Sequence, residues 1–181
     1  LKPKSSRRAD IVRDGDSDYA PTIGFVAHDF DVKGGPDVLR AFELVRERFP
    51  QSKLHIVGTN SRISAEEAHR KNIRWELSVD RETLLNEIMP TFTVFAYPTN
   101  FDGLPLILLD AMSLGIPTVC SNYPTITELV EHEVDGLICG SRTSRELADK
   151  IIALLEPAEN ERYSSNILNR FEQRFSSKSI K

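Results

Sequence analysis

The stretch Tyr97–Val119 reads YPTNFDGLPLILLDAMSLGIPTV and contains three predicted elements in a row. An apolar strand ends at Tyr97, a loop of Pro, Asn, Asp and Gly follows, and a leucine-rich helix leads into a second apolar strand. This order is typical of a parallel sheet covered by helices. Asp110 lies inside the apolar run of the helix, where an unpaired charge is costly. We therefore expect a partner for Asp110, and a ligand is one candidate.

The same alternation extends along most of the chain. Helical patterns separate six apolar runs that predict strands, at residues 22–27, 53–58, 73–77, 91–97, 116–121 and 136–139. The prediction is an α/β, Rossmann-like three-layer domain with a parallel sheet of about six strands and helices on both faces. We assign residues 1–20 to a polar tail or linker, 21–157 to this domain and 158–181 to a C-terminal helical extension.

Capping residues predict where several helices begin. Pro36 follows Gly35 at the start of the first helix, and Asp80 precedes another, which we predict over residues 81–88. Three further helices have the spacing of a capping box, in which a Ser or Thr is followed three residues later by Glu. These pairs are Ser64 with Glu67, Thr125 with Glu128, and Thr143 with Glu146.

Composition excludes several classes of protein. The 181 residues are 40% hydrophobic and 28% charged, which is typical of a folded domain, and the net charge of −4 argues against a nucleic-acid partner. No apolar run approaches the ~20 residues of a membrane span, so we expect no membrane association through this domain. We see no signal peptide and expect a cytoplasmic protein, in which Cys120 and Cys139 are buried free thiols.

In a parallel sheet, ligands bind outside the carboxyl ends of the strands, near the change in strand order. One such loop contains Lys33, Gly34 and Gly35 before a helix, so it predicts either an anion site or a tight turn with an exposed lysine. Neither a dinucleotide fingerprint nor a P-loop is present. Asp29 and Asp31 resemble part of a receiver-domain acidic cluster, but the third aspartate of such a cluster is missing.

A second candidate site contains Asp102 and Asp110, eight residues apart. On a helix this spacing corresponds to about 12 Å along the axis, which is too far for a paired acid and base at one bond. The two carboxylates could instead hold the ends of an extended ligand, or be a turn aspartate and a carboxylate bonded to backbone. Thr125 could contact a phosphate or begin a capping box with Glu128.

Taken together, these motifs resemble the carboxyl-terminal, donor-binding domain of family 4 (group 1) retaining glycosyltransferases, which have the two-domain B-type fold. The resemblance covers about residues 22–156. It rests on KGG at 33–35 with AF at 41–42, HIVG at 55–58, the stretch Tyr97–Val119, and TITELVEHEVDGLI at 125–138.

The resemblance implies a role for each matching residue. Lys33 would bind the donor diphosphate, Asp102 would orient the transferred sugar, and Asp110 would contact the nucleotide ribose. Asp102 and Lys33 are thus the expected catalytic residues, with a nucleotide-diphosphate sugar as substrate and no metal or other cofactor. The expected donor-binding residues are His28, Gly34, Gly35, Gly58, Gly103, Leu104, Pro105, Asp110, Thr125 and Glu128.

The chain departs from the family pattern at three positions. Asp102 and Asp110 replace two glutamates that are each one methylene longer, and His28 stands where the family has an arginine. Histidine is a weaker cation than arginine, so we expect lower and pH-dependent diphosphate affinity.

The implied function is the donor half of a glycosyltransferase of polysaccharide biosynthesis, which transfers a hexosyl group to a glycan or lipid acceptor. The acceptor site of the family lies in an N-terminal domain that this chain lacks, so we expect the chain alone to be inactive. The three departures leave an alternative open: a degenerate domain that serves as an interaction or regulatory module. Another sugar-nucleotide enzyme of the same two-domain shape, such as an epimerase, is a third reading.

Overall fold

Six strands form one parallel sheet in the computed structural model, which describes residues 20–58, 68–69, 71–141 and 143–175. The sheet order is β3-β2-β1-β4-β5-β6. The six strands are β1 Thr22–Val26, β2 Lys53–Val57, β3 Ile73–Glu76, β4 Val94–Tyr97, β5 Thr118–Ser121 and β6 Leu137–Cys139. The predicted parallel sheet is confirmed, whereas residues 1–19 of the predicted tail and the box Ser64 to Glu67 lie outside the described residues.

Helices connect the strands and cover the sheet. They are α1 Gly35–Arg48, α2 Arg81–Thr83, α3 Leu106–Ser113, α4 Pro124–Thr127, α5 Ser144–Leu155 and α6 Pro157–Phe175. The β1–α1–β2 unit advances toward one edge of the sheet and the β4–α3–β5 unit toward the other. Because such crossovers are right-handed, α1 and α3 lie on opposite faces. Helix α5 packs beside α1, and α6 packs against α3 and α5.

The centre of the sheet is fully buried. All four residues of β4 are buried, and so are Ile23, Gly24 and Phe25 in β1. Strands covered by helices on both faces are apolar at nearly every position, which explains why they appear in the sequence as continuous runs. Helix α1 contributes Val38, Phe42 and Val45 to this core, at the helical spacing that the sequence predicts.

The predicted helix starts have mixed outcomes. Pro36 does lie in the first turn of α1, and the side chains of Asp80 and Thr143 accept hydrogen bonds from Thr83 N–H and Glu146 N–H. The capping box at Thr125 is wrong. Pro124 occupies the first turn of α4, which makes Tyr123 the N-cap and places Glu128 at the other end of the helix.

The segment after α2 also differs from the prediction of a regular helix over 81–88. Only Arg81–Thr83 is α-helical; Leu84–Ile88 forms a π-turn and Met89–Thr91 a 3₁₀ turn. Pro90 lacks an N–H and cannot continue an α-helix, so the chain changes its winding before this residue.

Two further expectations concern the cysteines and membrane-spanning helices. Cys120 and Cys139 are both buried and free, as predicted. Among the described residues, no helix is both long and apolar enough to cross a membrane.

Candidate functional site

The loops after β1 and β4 meet at the centre of the carboxyl edge of the sheet. The chain adds β2 and β3 on one side of β1 but β5 and β6 beyond β4, so the strand order changes direction between β1 and β4. Asn100 N–H donates to Val32 O at 3.0 Å and joins the two loops. Gly34 has a φ of 83°, and a Cβ at this position would lie 2.2 Å from Pro98 O. Only glycine permits such a close approach.

This approach brings Lys33 to Asp102. The Lys33 ammonium donates hydrogen bonds to Asp102 Oδ2 at 2.6 Å and to Phe101 O at 3.0 Å. The two side chains are 20% and 12% exposed, respectively, so the ion pair is largely shielded from water but still reachable from the surface. Two residues that are 69 positions apart in the chain therefore form one charged centre at the change in strand order.

Three other groups hold Asp102. The Tyr97 hydroxyl donates to Oδ2, Leu104 N–H donates to Oδ1 at 2.9 Å, and the Thr125 hydroxyl donates to the Asp102 carbonyl at 2.7 Å. Both carboxylate oxygens and the backbone of Asp102 are thus fixed by neighbours from β4, the loop itself and α4. Sequence reasoning missed Tyr97; its only signal is that it is a polar aromatic residue at the end of a buried strand.

These contacts set the protonation states at the centre. Burial raises the pKa of Asp102, but the hydrogen bonds from Lys33, Tyr97 and Leu104 N–H outweigh it and hold this pKa below its ordinary value. Burial and the hydrogen bond to Asp102 raise the pKa of Tyr97 well above its ordinary value. Asp102 is therefore an anion at neutral pH, and the Tyr97 hydroxyl keeps its proton and acts as a donor.

The backbone of the glycine loop does not offer the anion site that its sequence suggested. Lys33 N–H donates to Asp29 O, Gly34 N–H to Asp31 O, and Gly35 N–H to Phe30 O. Pro36 has no N–H, and the next two N–H groups donate to Gly34 O. The chain's own carbonyl groups therefore occupy these donors, and the cation of this loop is the Lys33 side chain.

Gly58 lies at the carboxyl end of β2, and both its N–H and its carbonyl group form hydrogen bonds within the chain. Its N–H donates to Glu76 O at 2.8 Å, and its carbonyl accepts a hydrogen bond from Trp75 Nε1 at 3.0 Å. A Cβ here would lie 1.6 Å from Ala27 O. Close packing of β2 against the end of β1 explains a glycine at this position.

Asp110 forms the ion pair that is expected for a carboxylate in apolar surroundings. Arg81, the first residue of α2, donates to Asp110 Oδ1 at 2.8 Å. The Arg81 side chain is 65% exposed, whereas that of Asp110 is 16% exposed. Asp110 Oδ2 is buried and accepts no hydrogen bond from the described residues. Arg81 thus covers a carboxylate that is only half satisfied, and sequence reasoning missed it because it resembles an ordinary exposed residue in a first helical turn.

Of the remaining predicted site residues, three lie in or beside the loops at this edge and one lies at the end of α4. His28 and Gly103 are exposed in the loops after β1 and β4, and a Cβ on Gly103 would contact nothing within 4 Å. Pro105 is buried at the N-cap of α3 and has no N–H to offer. Glu128 is exposed at the end of α4, and its carbonyl accepts a hydrogen bond from Arg174. Among the described residues, no group of three or more His, Cys, Asp or Glu side chains could hold a metal ion.

The sequence model of the family described as "Glycosyl transferases group 1" matches residues 20–157. The chain belongs to this family. The resemblance proposed from the motifs is therefore confirmed at the level of the family.

Individual members and neighbours of this glycosyltransferase group are longer than the chain. An uncharacterized glycosyltransferase of Haemophilus influenzae is 27% identical over 146 residues, which cover 76% of this chain and 40% of that protein. A GDP-mannose-dependent phosphatidylinositol monomannoside mannosyltransferase of Mycobacterium tuberculosis is 23% identical over 86% of this chain and 43% of that protein. The crystal structure of Anabaena HepE with UDP and glucose shares the fold at a TM-score of 0.71 and 21% identity, over 86% of this chain and 44% of that chain.

Proposed function

We propose that this chain is the donor-binding half of a retaining glycosyltransferase that transfers a hexosyl group from a nucleotide-diphosphate sugar to a glycan or lipid acceptor. An N-terminal domain would bind the acceptor, in agreement with the chain's covering less than half of each relative and neighbour described above. The chain alone would then bind donor without transferring sugar.

The observation that carries the proposal is the ion pair of Lys33 and Asp102 at the change in strand order. Ligands of open α/β sheets bind at this place. A diphosphate needs a cation, and a sugar ring needs an acceptor for its hydroxyl groups. One cation and one carboxylate side by side match the two adjoining parts of a nucleotide sugar.

In this proposal Lys33 binds the diphosphate and stabilises the negative charge that develops on the leaving group. His28 and the N-terminal end of α3, with Gly103, Leu104 and Pro105, border the diphosphate and sugar. Gly34 and Gly35 place Lys33, Gly58 shapes the neighbouring loop, and Thr125 holds the Asp102 backbone. Asp110 would accept hydrogen bonds from the ribose hydroxyl groups after the Arg81 side chain moves away from it. Glu128 would border the donor from the end of α4. Because these fixed charges serve the diphosphate, the scheme uses no metal.

Calorimetric titration of the chain with UDP, GDP and ADP tests the proposal. The relatives and neighbours include proteins described with UDP and with GDP-mannose, so these nucleotides are compared directly. We expect one nucleotide to bind and Lys33→Ala to weaken it by about tenfold or more, as for loss of a charge-assisted contact. Lys53→Ala is the matched control, because Lys53 is exposed at the start of β2, at the opposite edge of the sheet.

Each outcome has a consequence for the alternatives. Binding that is lost only in Lys33→Ala supports a donor domain and identifies the nucleotide. If no nucleotide binds even at millimolar concentration, in this chain and in the longer parent protein, the donor role is overturned and the degenerate module remains. Hexosyl transfer by the parent protein would distinguish a glycosyltransferase from an epimerase, which would return an altered nucleotide sugar instead.

A further inference from the structure

Tyr97 lies directly beneath the charged centre. It is the last residue of β4, only 1% of its surface is exposed, and its hydroxyl donates to the same Asp102 oxygen that accepts from Lys33. Its ring stacks on Phe95 at 5.7 Å between centroids, so a rigid strand and a packed neighbour fix its position. The hydroxyl thus offers Asp102 a donor that cannot move away.

Lys33, by contrast, would bind two anions in turn in the proposed function, the Asp102 carboxylate and the donor diphosphate. Without donor its ammonium binds Asp102 at 2.6 Å. A bound diphosphate would attract the same ammonium, and a flexible lysine side chain can turn toward it. Asp102 would then lose one of its two donors on Oδ2 at the moment when it must face the sugar.

We propose that Tyr97 is a positioning residue that keeps Asp102 oriented toward the transferred sugar when Lys33 turns to the diphosphate. This inference rests on the proposed function. Leu104 N–H donates to Oδ1 and the Tyr97 hydroxyl donates to Oδ2. Each carboxylate oxygen therefore keeps a hydrogen-bond donor without Lys33, and the carboxylate keeps its orientation. Burial and the hydrogen bond to Asp102 raise the pKa of Tyr97, so its hydroxyl keeps the proton that it donates to Asp102.

The inference makes a prediction that a purely structural role does not. Tyr97 acts through Asp102, and Asp102 faces the sugar, so loss of the hydroxyl should weaken the binding of a nucleotide sugar but not that of its nucleoside diphosphate. A residue that merely stabilises the fold would weaken both ligands alike. The ratio of the two affinities is therefore the informative quantity.

The experiment measures this ratio by calorimetry for wild type and Tyr97→Phe, using UDP with UDP-glucose, GDP with GDP-mannose, and ADP with ADP-glucose. We expect Tyr97→Phe to lower the affinity for the nucleotide sugar about tenfold and to leave that for the diphosphate within about threefold. Tyr163→Phe is the matched control, because Tyr163 is also buried but lies in α6. Circular dichroism and thermal unfolding verify the fold of each variant.

An Asp102→Ala background provides the second measurement. If Tyr97 acts through Asp102, adding Tyr97→Phe to Asp102→Ala should cause no further loss of nucleotide-sugar affinity. Equal losses for both ligands, no loss for either, or additive losses in the double variant would overturn the inference while wild-type binding keeps the proposed function intact. Failure of wild type to bind any of the six ligands would instead overturn the proposed function, and the role of Tyr97 with it.

Discussion

The Lys33 ammonium and the Asp102 carboxylate bind each other at 2.6 Å, so the groups proposed for two parts of one donor neutralise each other in its absence. A diphosphate must therefore compete with Asp102 for the same cation. Such an internal pair lowers the affinity for a free diphosphate, but it also keeps a lysine and an aspartate in place without leaving a shielded charge unpaired.

Replacement of Asp102 by Asn should consequently have opposite effects on two ligands. Removal of the competing charge should raise the affinity for the free nucleoside diphosphate about threefold to tenfold, because Lys33 no longer has an anionic partner. The affinity for the nucleotide sugar should rise less or fall, because the amide is a poorer acceptor for sugar hydroxyls. Calorimetry with both ligands measures the two effects, and Asp149→Asn, at an exposed position in α5, is the control. Weaker binding of the free diphosphate by Asp102→Asn would contradict the competition.

Gly34 should be far less tolerant of substitution than Gly103. A Cβ on Gly34 would lie 2.2 Å from Pro98 O, and its φ of 83° strains any other residue. Gly34→Ala should therefore destabilise the chain by about 2–4 kcal/mol and separate the loops that carry Lys33 and Asp102. Gly103→Ala should cost under about 1 kcal/mol, because its Cβ would enter open space. Chemical denaturation of both variants measures the difference, and equal losses would contradict this account.

The fold was predictable from the sequence because its signals are local and repeated. Continuous apolar runs such as that ending at Tyr97 occur where strands are covered on both faces, and Pro36, Asp80 and Thr143 mark helix starts through their own backbone chemistry. The capping box at Thr125 failed because Pro124 is an equally local signal and moves the N-cap two residues earlier, to Tyr123.

The contacts of the site were less predictable because they depend on which loops are neighbours in space. Lys33 and Asp102 were both identified from their motifs, but nothing in the sequence places one on the other. Tyr97 resembles one more residue of a buried strand, and Arg81 resembles a solvated charge in a first helical turn. Each acquires its role only through the strand order and the close approach of two loops.

The last helix should depend on a shielded ion pair. Asp135 is fully buried and accepts hydrogen bonds from Glu131 N–H at 2.6 Å and from Arg170 Nε of α6 at 2.7 Å. Arg170→Ala leaves this carboxylate without its cation and should lower the free energy of unfolding by about 2–4 kcal/mol. Arg145→Ala, which removes an exposed pair with Asp149, should cost under about 0.5 kcal/mol. Denaturant titration measures both variants, and a loss from Arg170→Ala as small as that from Arg145→Ala would contradict the assigned role.

Glu146 should make the stability of the chain depend on acid pH. Its carboxylate accepts hydrogen bonds from Gly140 N–H at 2.9 Å and from Ser141 N–H at 2.6 Å. Burial raises its pKa, but these bonds and that from the Ser141 hydroxyl outweigh it and lower the pKa from 4.5 to about 2. Because the folded-state pKa is the lower one, the contribution is complete above pH 4.5 and is lost as the pH falls toward about 2.

Replacement of Glu146 by Gln tests this contribution directly. The side chain is 26% exposed, so solvent screening limits the expected loss at pH 7 to about 1–2 kcal/mol. The difference in the free energy of unfolding between wild type and Glu146→Gln should shrink steadily between pH 4.5 and pH 2.5. In this range Glu146 becomes protonated, first in the unfolded state and then in the folded state, so its charge stabilises the fold less and less. Urea unfolding at pH 7, 4 and 3 measures the trend, with Glu161→Gln as an exposed control on α6. A difference that stays constant over this range would show that the Glu146 side chain stabilises the loop by its shape rather than by its charge.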